Sequence, residues 1–479
     1  MKRAIRWHDY LTINAYWFAL TTRSQVLTPL IIPLLVQQFV GEQAKGTYVG
    51  KIRLWALMVA VLVQALMGLL SDRSTLRWGR RRPFIAVGTL GELAVFAAIG
   101  FTANLEGMTG YWVLFGLYIL SMLASNTAHS ATQGLIPDLV PEDLRGRFSG
   151  VKALLELPLP LIFVSFVLGN LVSAGNLWGA LFALMGVMVI SMAVTMFARE
   201  KQLEKAPFEL DWQPFLRLVL MTAAFTVIIL GMGAGVNAIM RVSLDLPRSA
   251  VLAITGVAGL LGMVIAVALG VWVSVRISIG PDIREHPSFT WWVVNRLAFL
   301  VASTNLATFM LYFLQERFVE LQGEKAAGPA SMVMMFVGVF ILLTALPSGW
   351  LADRVGKKRL VVVSGIVATI GIIIVVAIPN LTATYVGGAL AGVAIGLFYT
   401  ANWALGTEIV PKEQAGRYLG ISNLAGAGAG AIGAYIGGPI ADHLGYVLLF
   451  TIYGAMFVLS ILALRGVKER RERLPRMEK

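Results

Sequence analysis

The chain contains 479 residues, of which 57% are hydrophobic and only 14% are charged, and its formal net charge is +13. About 25% of residues are charged in a typical soluble domain, so this composition excludes a water-soluble globular protein. The chain has no cysteine, which excludes disulfides and thiolate chemistry, and its four histidines form no metal-binding pattern.

Fourteen apolar segments are long enough to span a hydrocarbon layer about 30 Å thick. They cover residues 11–39, 50–70, 84–104, 111–134, 151–173, 177–198, 214–236, 249–275, 289–315, 328–351, 359–379, 383–406, 419–440 and 446–465. The first segment exceeds the apolar core of a signal peptide, and we expect it to be retained as span 1. The sequence therefore predicts an all-α polytopic membrane protein.

The predicted spans divide into two groups of six with a pair between them. We expect residues 1–198 to form an N-terminal six-helix bundle, residues 199–288 a linker with two extra spans, and residues 289–479 a C-terminal six-helix bundle with a basic tail. With the N-terminus inside, 30 of the 39 lysines and arginines lie in or beside cytosolic segments. This asymmetry predicts a multi-pass protein of the plasma or inner membrane with both termini in the cytosol.

Two charged loop motifs occur twice, at matching places in the two halves. GLLSDRSTLRWGRRRP (68–83) after span 2 has a counterpart in GWLADRVGKKRL (349–360) after span 10, and DLVPEDLRGRFSG (138–150) matches EIVPKEQAGRYLG (408–420) after spans 4 and 12. We predict a cytosolic gate whose charges pair in one state and separate in another; the alternative is that the loops only set the topology. The predicted gate residues are Asp72, Arg73, Arg80, Asp138, Arg147, Asp353, Arg354, Glu408 and Arg417.

The GxLxDRxGxxR pattern of these loops resembles the loop motif of the major facilitator superfamily. The first copy, SDRSTLRWGRRRPFI with three extra residues, is similar to the glycoside–pentoside–hexuronide:cation symporter group, and within it to the sucrose-transporter branch. This resemblance implies the major facilitator fold, two six-helix bundles around a cavity, here with an additional central helix pair. It also implies secondary active transport of a small polar solute, above all a sugar or glycoside, with proton coupling left open.

The chain departs from these relatives where they bind ions and sugar. In sucrose-type symporters span 4 carries a proton-binding aspartate and a sugar-binding arginine, and the corresponding positions here hold Met122 and Gln133. The sodium-binding aspartates of the melibiose-type branch correspond to Gln64 and Ala60. A coupling site in this chain must therefore use other residues.

Arg23 lies about halfway along span 1, where a charge costs about 2.5–3.5 kcal/mol on insertion scales. We predict that it is the cation of the cavity and binds a hydroxyl-rich or anionic substrate; the alternative is an internal ion pair with Glu156 or Glu92. A carboxyl group buried in the membrane can carry a proton. Glu156 is therefore our first candidate for proton coupling and Glu92 the second, with a structural pair between Glu156 and Lys152 or Arg23 as the alternative.

Span 4 places Ser125, His129 and Gln133 on one face, bordered by Asn126. Such a polar stripe either lines a cavity or joins neighbouring helices. Spans 9 and 12 supply candidates for the opposite wall, with core packing as the alternative, and Arg296 is expected to snorkel toward the cytosolic face. The candidate substrate-binding residues are Arg23, Asn126, His129, Gln133, Asn305, Tyr312, Tyr399, Asn402 and Trp403.

The chain has no phosphate-binding loop of the GxxxxGK[ST] type, so an ATP-driven pump is not expected. It also has no recognisable nucleophile–base set, which predicts that it is not an enzyme. Two further functions stay open beside sugar transport: export of amphipathic compounds or lipids, and a non-transporting assembly or sensor role on the same fold. We expect a monomer that contacts membrane lipids and a small-molecule substrate, without cofactor, metal ion or nucleic acid.

Overall fold

The computed structural model describes residues 5–200, 202–203, 211–280, 287–410 and 415–468, the last range without the side chains of residues 415–425. Every regular element within these ranges is a helix. The described part of the chain therefore confirms the predicted all-α polytopic fold.

Long helices follow one another along the chain, with short connections between most of them. They are α1 Trp7–Val40, α2 Lys45–Asp72, α3 Arg82–Thr102, α4 Gly107–Leu139, α5 Glu142–Ser173, α6 Leu177–Met196, α7 Gln213–Ser243, α8 Arg248–Ser278, α9 Pro287–Arg317, α10 Gly323–Val355, α11 Lys357–Ala377, α12 Leu381–Ile409, α13 Ala415–Leu444 and α14 Tyr446–Gly466. Among the described residues, thirteen of these helices are long and apolar enough to cross a membrane, and α13 has 30 residues. With α13 counted, the fourteen helices put Trp7 and Gly466 on one side, which we call the near face; the opposite side is the far face.

Proline interrupts the regular geometry of α1 and α5. A π-helical turn at Leu27–Ile31 surrounds Pro29 in α1, and α5 is interrupted before Pro158 and contains a second π turn at Val164–Leu168. Proline lacks an N–H group and its ring clashes with the carbonyl four residues earlier, so the helix adjusts locally. Both π turns contact helices of the C-terminal half, which places the irregular segments where the halves meet.

The two groups of six helices meet along α2 and α13, where small residues allow the backbones to touch. A Cβ on Gly50 would fall against the backbone of Ala434, and a Cβ on Gly46 would fall against the carbonyl of Gly438. Close approach of membrane helices requires small residues at the contact. These glycines therefore hold the halves at a distance that larger side chains would not permit.

The contacts between the halves described here lie toward the far face. Gly50 is in the second turn of α2, which begins at that face. Near the start of α10, the carbonyl of Ser331 accepts a hydrogen bond from Ser165 of α5 at 2.7 Å. The ion pairs of Asp138 and of Glu408 at the near face each stay within one half. The structure is thus a state that is closed at the far face.

The helices α7 and α8 form a pair that packs beside α13. Gly233 of α7 lies against the ring of Tyr435, and Gly259 of α8 lies against Ile440. In addition, α7 touches α2, whereas α8 touches α9 and α14. The pair therefore follows the line where α2 and α13 meet. The domain boundaries at residues 198 and 288 remain a prediction.

The close contact at Gly50 predicts that adding one methyl group there, as in Gly50→Ala, weakens closure of the far face. Overpacking a tight contact costs about 1–3 kcal/mol, and 1 kcal/mol alone changes a two-state population about fivefold. We expect Gly50→Ala to populate the far-open state more strongly. The chain has no cysteine, so a single Ser331→Cys substitution introduces a unique thiol at the far face. Ser331 is only 1% exposed in this state. Opening of the far face should therefore appear as faster labelling of that thiol by a membrane-impermeant maleimide.

Gly186→Ala in the same reporter background is the control, because a Cβ at Gly186 meets nothing within 4 Å. Equal labelling rates in the two variants would contradict the assignment of the α2–α13 contact as a far-face closure.

Candidate functional site

A cavity of about 360 Å³ lies between α1, α2, α4 and α5 in the N-terminal half. Its volume falls in the range of small-molecule sites, roughly 300–1,000 Å³. Because α1 leaves the near face and α4 returns to it, Trp17, His129 and Glu156 lie at the near end and Thr28 and Tyr118 at the far end. The residues predicted from the sequence that line this cavity are Arg23, Asn126, His129 and Glu156.

Arg23 forms an ion pair inside the helix bundle. Its side chain is almost fully buried, and its Nε lies 3.1 Å from Oε1 of Glu92 on α3. Arg23 Nη2 also donates to the hydroxyl of Ser121 on α4, which itself lies 3.0 Å from both oxygens of Glu92. An unpaired charge would be costly in these apolar surroundings, so each group compensates the other. Of the two carboxylates considered for Arg23, the structure therefore selects Glu92.

A series of side-chain contacts surrounds the near end of the cavity. Glu156 lies 3.4 Å from the ammonium of Lys152, which sits 3.8 Å from the centre of the Trp17 ring. Trp17 meets His129 edge to face at 5.4 Å, and a ring nitrogen of His129 lies 3.2 Å from the amide nitrogen of Gln133. The structure thus brings the predicted polar face of span 4 close to Glu156. It also contains the Glu156–Lys152 pair, which was the alternative to a role of Glu156 in proton coupling. Gln133 is exposed and Glu156 partly exposed, so this end is accessible.

Arg53 is a cavity residue that the sequence analysis did not single out. It lies two turns into α2 and lines the cavity together with Ala56 and Ala60 of the same helix. Its Nε is buried and has no hydrogen-bond partner in the described part of the chain. The sequence did contain a signal for this site, because an arginine is rare within a predicted span. However, Arg53 is near the start of the predicted span 50–70, which suggested that its side chain lies beside the preceding loop.

The candidates of the C-terminal half do not line this cavity. Asn305 is fully buried, and its amide donates to carbonyls of its own helix and, at 3.3 Å, to that of Ala429 on α13. The hydroxyl of Tyr312 donates to the carbonyl of Pro33 at 2.6 Å and so joins α9 to α1. Both side chains therefore connect helices in this state.

Asn402, Tyr399 and Trp403 surround Arg296 instead. Arg296 Nη1 donates to Oδ1 of Asn402 at 3.1 Å, and the ring centres of Tyr399 and Trp403 lie 5.7 and 5.6 Å from its Cζ. Aromatic faces attract a guanidinium and replace part of its water shell. Arg296 is 8% exposed, so the prediction that it snorkels to the near face was wrong. The two rings remain 44% and 42% exposed and offer an accessible aromatic surface.

Polar contacts close the far face beyond the cavity. The ammonium of Lys45 donates to Oε1 of Gln315 at 2.8 Å and to Glu42 at 2.6 Å. Asp442 of α13 accepts two backbone N–H groups at the N-terminus of α2, each at 2.7 Å. The helix dipole favours an anion at this end. Charge as well as packing therefore holds α13 to α2.

Glu42 lies in the loop before α2, where opposing effects act on its pKa. Partial burial raises the pKa of the Glu42 carboxyl, but the Lys45 ammonium and a hydrogen bond from Gln37 together outweigh it, and the net pKa lies below its ordinary value. A lowered folded-state pKa means that the contact stabilises at higher pH and is lost as pH falls through that value. The Glu42–Lys45 contact is therefore intact at neutral pH.

Arg81 organises the predicted gate residues at the near face of the N-terminal half. It is 5% exposed, pairs with Asp72 and Asp138, and donates to the hydroxyl of Ser71 at 2.9 Å. Arg80 also pairs with Asp138. The sequence had indicated Arg80 and both carboxylates but not Arg81, which links the near ends of α2, α3 and α4.

The other predicted gate residues lie at the near ends of helices. Glu408 pairs with Lys357 within the C-terminal half, and the Arg354 guanidinium lies 4.1 Å from the centre of the Trp350 ring. A gate formed between the halves remains a prediction for another state. Of the remaining residues, Arg147 and Asp353 are exposed, Arg73 directly follows α2, and the side chain of Arg417 lies outside the described residues.

The two acidic candidates should differ sharply in their effect on stability. Glu92→Gln leaves the buried Arg23 without its charge partner, and breaking a buried pair costs about 3–5 kcal/mol. The Glu156–Lys152 pair is 36% and 29% exposed, so Glu156→Gln should cost under about 1 kcal/mol. Thermal unfolding of the purified variants in detergent measures both, and equal shifts would contradict the assignment of Glu92 as the structural partner.

Sequence relatives include transporters of different solutes. The chain is 30% identical to the minor myo-inositol transporter IolF of Bacillus subtilis over 118 residues, which is 25% of this chain and 27% of that protein. It is 28% identical to the multi-drug resistance efflux pump PmrA of Streptococcus pneumoniae over 148 residues, 29% of this chain and 37% of that protein. The matched segments thus span well under half of either relative.

The fold is similar to that of solved transporters along nearly the whole chain. A crystal structure of a peptide transporter, POT, superposes with a TM-score of 0.65 and 16% identity, and covers 96% of this chain and 95% of that chain. The profile of the Major Facilitator Superfamily matches residues 18–317 and 297–479. The chain therefore belongs to the Major Facilitator Superfamily of membrane transporters.

Proposed function

We propose that this chain is a secondary active transporter that moves a small polar solute, a sugar or glycoside, by alternating access. The observation that carries the proposal is the cavity of about 360 Å³, which combines polar and charged side chains with apolar ones and has a partly exposed residue, Glu156, at its near end while the far face is closed. Transport would require the contacts of α2 with α13 to separate, so that the same cavity opens to the other side.

The lining of the cavity supports a hydroxyl-rich substrate. The hydroxyl of Ser125 has no hydrogen-bond partner among the described residues, and the Asn126 amide donates to its own helix, which leaves its oxygen as an acceptor. The relative named as a myo-inositol transporter is consistent with a polyol-sized solute.

Glu156 is the group we propose for proton coupling. It lines the cavity, is partly exposed, and its partner Lys152 is held by a ring face rather than by a second carboxylate. Glu92 is the second candidate, but its pair with Arg23 would first have to open. A proton on Glu156 would release Lys152 and change the charge at the cavity entrance.

A second candidate function is export of amphipathic compounds. The relative named as a multi-drug efflux pump favours it, and Leu20, Leu57 and Met122 contribute apolar surface to the cavity. Amphipathic dyes that bind more tightly than sugars would identify this function instead.

The central experiment is a thermal-shift screen of the purified protein against monosaccharides, polyols, disaccharides and amphipathic dyes. It is followed by uptake of the best ligand into proteoliposomes. Ser125→Ala should weaken sugar binding about two- to tenfold, the effect of one hydrogen bond. Ser130→Ala on the same helix is the control, because its hydroxyl is bonded to the carbonyl of Thr127. Binding without uptake, or identical behaviour of the two variants, would count against the proposal.

Proton coupling makes a separate prediction about the pH profile of uptake. We expect an imposed proton gradient to accelerate uptake in the wild type and to have no effect in Glu156→Gln, whose neutral amide cannot release a proton. Substrate exchange without a gradient should survive in that variant, which distinguishes lost coupling from lost folding. Gradient-driven uptake that persists in Glu156→Gln would exclude Glu156 as the coupling group.

A further inference from the structure

Arg53 presents a positive charge at the far end of the cavity. It lies eight residues after Lys45, where α2 begins, and is therefore about 12 Å along the helix. Thr28 and Tyr118, whose hydroxyls are 2.9 Å apart, line the same end. The contacts of Lys45 with Gln315 and Glu42 lie between Arg53 and the far face.

The other charged pairs at the cavity compensate each other. Arg23 is paired with Glu92, and Glu156 is paired with Lys152. Arg53 has neither an ion-pair nor a hydrogen-bond partner in the described part of the chain, and its Nε is buried. The side chain is only partly buried and lines the cavity, so its unneutralised charge is available to attract an anion that enters.

Arg53 also stands where the two halves meet. Its Nη2 and the Oγ1 of Thr304 on α9 both lie 3.8 Å from the position that a Cβ on Gly430 would occupy. Leu57 of α2 lies closer still, at 2.9 Å, so the glycine lets this face of α2 approach α13. A group bound to the guanidinium would therefore lie close to both halves, as alternating access requires of a substrate.

We propose that Arg53 binds an oxyanion of the transported solute, a carboxylate or phosphate, while its hydroxyl groups face Ser125 and Asn126. The planar guanidinium edge offers two parallel donors that match such a group. This inference rests on the proposed transport function and narrows its substrate class to hydroxylated anions such as sugar acids and sugar phosphates.

The test uses pairs of ligands that differ only by the anionic group. Binding to the purified full-length protein is measured for glucose against glucuronate, and for myo-inositol against its monophosphate, with inorganic phosphate as the free oxyanion. We expect the wild type to prefer the anionic member of a pair by about tenfold or more. Arg53→Gln should remove this preference, measured as the ratio of the two affinities within each variant.

Lys51→Gln is the matched control, because it removes the same charge from the same helix. Its ammonium lies 4.4 Å from the centre of the Tyr48 ring, and Lys51 does not line the cavity, so the preference should persist. If Arg53→Gln does not fold, Arg53→Lys is tested in its place. Lysine keeps the positive charge but lacks the two parallel donors of the guanidinium, so the preference for anionic ligands should become smaller without vanishing.

Two results would overturn the inference and leave the transport proposal standing. The first is that the wild type binds the anionic members of the pairs no more tightly than the neutral ones, even if inorganic phosphate binds. The second is that the preference for anionic members persists in Arg53→Gln. If the glutamine variant does not fold, an undiminished preference in Arg53→Lys is the equivalent result. Absence of binding and uptake for every ligand would count against the transport proposal and the inference together.

Discussion

The ion pair between Arg23 and Glu92 is the contact on which the cavity of the N-terminal half depends. Apolar surroundings penalise a single charge heavily, so α1 and α3 must keep the two groups adjacent. Ser121 adds α4 to the same site. With three helices fixed in this way, the next turn of α4 presents Ser125 to the cavity. Because the pair is neutral as a whole, the charge of the cavity is set by other groups.

The contacts at the two faces of the protein differ in what they join. At the far face, Gly50 and Ala434 bring backbones into contact, an interaction that depends on the size of the side chain and little on salt. At the near face, Arg81 and its carboxylates interact as charges near water, where salt screens those that are exposed. These ion pairs stay within the N-terminal half, so they do not join the two halves in this state. Side-chain size should therefore act on closure of the far face, where Asp442 adds a charge contact to the packing.

The sequence predicted the helices well because hydrocarbon thickness fixes their length. It also indicated several cavity residues, since polar groups such as Arg23 are rare inside spans. It did not choose between Glu92 and Glu156, because that choice depends on how α1, α3 and α5 pack. The bond from Tyr312 to a carbonyl 279 residues away leaves no local pattern. Arg53 was missed because α2 begins at residue 45, earlier than the predicted span, and places this side chain deeper than its distance from the loop suggested.

The helices α7 and α8 make the two sides of the transporter unequal in the lipid. Both pack on α13, and α7 also contacts α2. If α2 and α13 part during transport, a helix pair that stays on α13 would enlarge the perimeter of the C-terminal side alone. Surrounding lipid would resist rotation of the wider body more than that of the narrower one. The six N-terminal helices, with the cavity inside them, would then perform the larger share of the rotation.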